Sequence, residues 1–107
     1  MNTAAFLAEL GHSAVLRRLN GSNPATEVTV LAFVRDMRPR DLIEGSGLRQ
    51  GDRIAIIGTA EIAVASWPAP PRAGDKLVVE DRVLNVQAVE IVRKGAAVER
   101  YNLMVRG

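Results

Sequence analysis

From residue 13 to the end of the chain, apolar residues recur mostly at every second position, the period of strands with one buried face. Ser13–Leu19 is the first such segment, and Asn20-Gly21-Ser22-Asn23-Pro24 supplies the dihedrals a turn needs after it. Glu27–Met37 is the hairpin partner. Its middle, Val30-Leu31-Ala32-Phe33-Val34, is apolar on both faces, which predicts cover on both: the main core on one, a helix or a partner chain on the other. Asp52–Gly58 resumes β character with Ile54, Ile56 and Ile57. Lys76–Glu80, Val83–Val92 and Ala97–Arg106 read as a meander, with Asp81-Arg82 and Lys94-Gly95 as its turns. In the last segment Tyr101, Leu103 and Val105 share one face, and Arg100, Asn102, Met104 and Arg106 share the other. In the segment before it the apolar parity changes, from Leu84 and Val86 to Val89 and Ile91, which predicts a bulge or a sharp bend near Ala88–Val89.

The period breaks in four places. Residues 3–10 predict a short helix capped by Asn2 or Thr3, with Phe6 and Leu10 on one face and Gly11 ending it in a left-handed conformation. Two turns of helix are unstable alone, so Phe6, Leu7 and Leu10 must dock on something. Arg38–Gly51 alternates Pro39, Gly45, Gly47 and Gly51 with charges, a loop of about a dozen residues and long for a compact domain. Thr59–Trp67 fits both a short helix capped by Thr59 and a strand, and the helical turn is preferred. Trp67-Pro68-Ala69-Pro70-Pro71 is a rigid extended connector, because its prolines lack donors. Six or so short strands in one chain predict a mainly β fold. The expectation is a single domain over 1–107, a small β-barrel or sandwich with a short N-terminal helix and a long inserted loop.

Composition narrows the function. With 107 residues, 48% of them hydrophobic, the chain can bury roughly 65% of its unfolded surface and needs no staples. There is no cysteine, so disulfides and thiolate chemistry are excluded. Met1–Leu10 lacks a basic segment and a long apolar run, and no stretch matches a membrane span, so a cytoplasmic protein is expected. Fourteen basic residues against twelve acidic ones give a weak bias of +2. The basic pairs Arg17-Arg18 and Arg93-Lys94 are scattered and read as solvated faces.

Catalytic chemistry finds little footing. His12 is the single histidine and, after Gly11 at a helix end, a capping cation there. No second histidine and no cysteine complete a zinc site, and no serine sits in a GxSxG elbow. Gly45–Gly51 lacks the Lys-Ser/Thr ending of a phosphate loop. Glu61, Glu80, Asp81, Glu90 and Glu99 are spread over solvent-type positions, and Gly51-Asp52 and Gly74-Asp75 read as turn chemistry. Trp67 and Tyr101 are too few for a single-strand stacking platform and belong to packing. The chain is expected to be no enzyme and to carry neither catalytic residues, nor a metal site, nor a cofactor.

One pattern extends over residues 12–107. Val34-Arg35-Asp36-Met37-Arg38-Pro39-Arg40-Asp41-Leu42, then Gln50-Gly51-Asp52-Arg53, then Trp67-Pro68 with Pro70-Pro71-Arg72-Ala73-Gly74-Asp75, then Val83, Val86 and Val89, and finally Arg100–Gly107 resemble the head-closure, or stopper, proteins of tailed-phage head–tail joining clusters. The resemblance implies a small β-barrel with a long inserted loop. It implies a virion structural protein, assembled in the host cytoplasm into an oligomeric ring of the neck between the portal–adaptor complex and the tail, around the DNA channel. Portal, adaptor and tail proteins are then its partners, and duplex DNA is met at most non-specifically. The loop maps to Arg38–Gly51, with Arg38, Arg40, Asp41, Leu42, Ile43, Glu44, Leu48 and Arg49 as candidate assembly residues. Val30, Leu31, Phe33 and Val34 are the candidate subunit-contact strand. Where such proteins carry Asp-Gly, this chain has Glu80-Asp81-Arg82. A tail-completion or minor tail protein shares the barrel. The competing class is a monomeric nucleic-acid- or peptide-binding barrel, with Arg17, Arg18, Arg35, Arg38, Arg40, Arg49 and Arg53 as its patch.

Overall fold

The computed structural model describes residues 3–21, 23–36, 53–68 and 70–107. The loop Arg38–Gly51, with all eight of its candidate assembly residues, lies outside them, as do the side chains of Asn2 and Thr3 expected to cap the first helix. The elements are α1 (Thr3–Leu10), β1 (His12–Asn20), β2 (Asn23–Asp36), β3 (Arg53–Gly58), α2 (Ala60–Val64), β4 (Lys76–Val79), β5 (Arg82–Lys94) and β6 (Ala97–Arg106).

The six strands close into an all-antiparallel barrel in the order β1-β2-β3-β6-β5-β4, with β4 returning to β1. Closure leaves the sheet without a terminal strand and settles the choice between barrel and sandwich. Alternation fills the interior. Ala14 and Leu16 of β1, Val30 and Ala32 of β2, Ala55 and Ile57 of β3, Leu77 of β4, Leu84 and Val86 of β5, and Tyr101, Leu103 and Val105 of β6 form one buried cluster.

The parity change in β5 has the expected cause. Val86 pairs with Val105 and Ala88 with Met104, so Gln87 is an extra residue. That bulge keeps Val86 and Val89 on the side of the core although they are three positions apart, an odd step that would otherwise put them on opposite faces.

The two meander turns sit one residue away from their expected places. Val79 pairs with Arg82, so Glu80-Asp81 forms the first turn, with φ of 50° and 65°. Positive φ at both central residues is the type I′ pattern, whose twist matches the flanking strands. Lys94 pairs with Ala97, so Gly95-Ala96 forms the second, with Gly95 at φ 63°.

The second face of β2 is covered by α1: Phe6 meets Phe33 edge to face, with centroids 5.2 Å apart. Leu7 is buried and reaches toward Gly58. Gly11 ends α1 for a reason other than handedness. Its N–H bonds the Leu7 carbonyl at 2.8 Å, and a Cβ there would lie 2.6 Å from that oxygen. His12 is exposed and opens β1 rather than sitting on the helix end. Between β3 and the connector, α2 forms as preferred, but Thr59 makes no side-chain cap bond. Ile62 anchors the helix in the core instead.

Candidate assembly surfaces

The antiparallel order gives the barrel two ends. The upper end carries the β1–β2 and β5–β6 turns and the connector from α2 to β4. The lower end carries the start of β1, the β2–β3 junction, the β4–β5 turn and Gly107.

The upper mouth is filled by a polar cluster. Arg18 follows Ala14 and Leu16 on the inner face of β1, where alternation turns it into the barrel. Its Nε donates to Asp75 Oδ1 and its Nη2 to Asp75 Oδ2, both at 2.9 Å. Nη1 and Nη2 also donate to the carbonyls of Pro68 and Pro70, and the guanidinium lies 4.5 Å from the centroid of the buried Trp67 ring. Pro68 and Pro70 lack N–H donors and offer the arginine only their carbonyls. Asp75 also accepts from the Arg72 N–H, and the Trp67 indole donates to the Thr26 carbonyl. Arg18 and Asp75 are thus an internal fastening. The expectation of a solvated Arg18 and of plain turn chemistry at Asp75 is corrected. Parity alone marked Arg18, and its partner lies 57 positions away, beyond the reach of local spacing.

Each of the four described arginines of the proposed patch has a partner within the chain. Arg17 pairs with Glu27, Arg53 lies 3.6 Å from Asp36, and Arg35 donates to the Asp36 carbonyl. Arg38, Arg40 and Arg49 are outside the described residues. His12, Arg53, Glu80 and Arg82 line a depression of about 210 Å³ at the lower end, beside Val34 and Leu84. Among the described residues no three His, Asp or Glu side chains gather as metal ligands. No helix among them is long and apolar enough to cross a membrane.

Of the candidate contact strand, Val30 is 2% exposed inside the core and Val34 packs against it, while Leu31 and Phe33 lie on the other face, half-buried. Beyond Ala32, β2 has no further β3 partner, and α2 takes over: Glu61 Oε2 accepts the Leu31 N–H at 2.9 Å. Glu61 is therefore held against the sheet and does not occupy a plain solvent position. Leu7, Thr29, Leu31, Ala60, Glu61 and Glu99 border an open, mainly apolar groove of about 510 Å³ there. Two features of the outside thus stand out: this groove, and a β5–β6 turn whose residues 93–97 are all exposed.

In comparisons with known proteins, no family model, curated protein or solved structure matches the chain.

Proposed function

We propose that the chain is a ring-forming head-closure or head–tail joining protein in the neck of a tailed phage, between the portal–adaptor complex and the tail and around the DNA channel. The resemblance over residues 12–107 carries this reading. In its favour, the small barrel that such a protein needs is the fold of this chain, with residues 37–52 joining β2 to β3 at one end. A ring component works by presenting surfaces and needs no reacting groups. The groove over β2 and the exposed β5–β6 turn are surfaces of that kind. The four described arginines of the competing patch are engaged within the chain, whereas a nucleic-acid-binding face requires cations free to displace the counterions of phosphates.

Deleting the gene from a phage that carries it tests the proposal. Filled heads without tails, or heads that lose DNA, beside complete free tails are expected in electron micrographs. Tailed, infectious particles in normal yield would refute a neck role. Salt-dependent DNA affinity of the isolated chain would favour the competing class.

A further inference from the structure

The β5–β6 hairpin outruns the barrel. Pairing of β6 with β3 stops at Arg100 opposite Gly58, and pairing of β5 with β4 stops at Asn85 opposite Lys76. The next residue, Val86, is bonded by Gly74 and Asp75. Beyond Arg100 the two strands pair only with each other, Arg93 with Val98 and Lys94 with Ala97. Three residues at about 3.3 Å each carry the tip roughly 10 Å past the end of β3 pairing. Such a two-stranded ribbon has little stability of its own in water. Its tip holds two cations, Arg93 and Lys94, which have no ion-pair or hydrogen-bond partner among the described residues. The remaining tip residues, Gly95, Ala96 and Ala97, are small.

The groove beside α2 has the complementary character. Its lining is mainly apolar, its volume is about 510 Å³, and two carboxylates, Glu61 and Glu99, border it. Glu61 is fixed there by the Leu31 N–H, so its negative charge is already in place before any partner arrives. A narrow tip of small side chains flanked by cations fits an apolar groove flanked by carboxylates in both shape and sign.

We propose that the β5–β6 tip of one copy docks in the groove between α1, β2 and α2 of a second copy, with Arg93 and Lys94 against Glu61 and Glu99. The inference rests on the ring reading above and names the contact that builds the ring. The contact is heterologous: the donor surface differs from the acceptor surface, and both are present on every copy. Repetition closes a ring when the rotation per copy allows it, and otherwise extends a filament.

The chain has no cysteine, so single cysteines report the contact cleanly. Ala96→Cys marks the tip and Ala60→Cys the groove, both at exposed positions, while Val83→Cys, 48% exposed at the lower end, is the control. Variants of the full chain are mixed in pairs under mild oxidation. The tip–groove pair should form its disulfide about tenfold faster than the tip–control pair, because docked thiols react at the effective concentration of the contact. R93E/K94E in the tip variant should lower that rate to the control level. Glu61→Gln, which keeps an oxygen for the Leu31 N–H, should slow it. A tip–groove rate equal to the control, or matched by tip–tip coupling, would overturn the proposal. Electron micrographs give the ring reading its own readout. Rings without preferential tip–groove coupling would retain the ring and sink the contact. Preferential coupling in open filaments would retain the contact and sink the ring.

Discussion

Arg18 and Asp75 illustrate how far one inward-facing charge can shape a small barrel. The pair is nearly sealed from water, with side-chain exposures of 11% and 3%. Burying both charges is costly, and the two shared hydrogen bonds, two carbonyls and an indole face offset that cost only while all are present. Removing one partner leaves the other buried and uncompensated, so Asp75→Ala should destabilise the chain by about 3–5 kcal/mol in urea melts. Asp75→Asn keeps the shape and one acceptor and should cost less. Equal losses would mean that the shape and the remaining acceptor contribute nothing without the carboxylate charge. Leu103, fully excluded from water in β6, is the apolar counterpart. Leu103→Ala should cost about 2–5 kcal/mol, and a loss below about 1 kcal/mol would show that the site can collapse around the vacancy. Leu103 was legible from alternation alone. The Arg18–Asp75 pair was not, because residues so far apart in sequence meet only once the barrel closes.

At the scale of elements, periodicity served well wherever a strand buried one face. Residues 3–10 and Ala97–Arg106 have their expected bounds, and the change of parity in β5 was a readable sign of the Gln87 bulge. Turns were harder to place, since Asp81-Arg82 and Glu80-Asp81 differ by one residue and local composition does not separate them. The groove was out of reach for another reason: it exists only where α1 and α2 flank β2. The true turn puts Glu80 and Asp81 at positive φ without a glycine. A residue other than glycine in that region carries strain of about 1–3 kcal/mol. Replacing Glu80-Asp81 by Asn-Gly, the pair most compatible with type I′, should therefore raise stability by about 0.5–2 kcal/mol. Thermal melts of the double variant check this, and a lower midpoint would mean that Glu80 or Asp81 makes a contact worth more than the strain.

For the molecule as a whole, the shortest seam lies between β1 and β4. Only Val15–Val78, Leu16–Leu77 and Arg17–Lys76 are in register there, fewer than at any other strand pair among the described residues. Arg18 comes directly after the last of these residues on β1, and Asp75 directly before its partner on β4. The buried ion pair therefore continues the seam by side chains where the backbone pairing stops, and the proline connector roofs the same corner. Proteins open in cooperative pieces of unequal stability, and a seam of three pairs is the natural place for the first opening. Native-state hydrogen exchange should find the amides of Lys76–Val79 exchanging through a partial opening, at lower free energy than those of the long β5–β6 pairing. Asp75→Asn should lower protection in β4 and in Val15–Arg17 far more than in Leu103–Val105. A uniform loss across all six strands would show instead that the barrel opens only as a unit, and that the ion pair acts on global stability with no special hold on this seam.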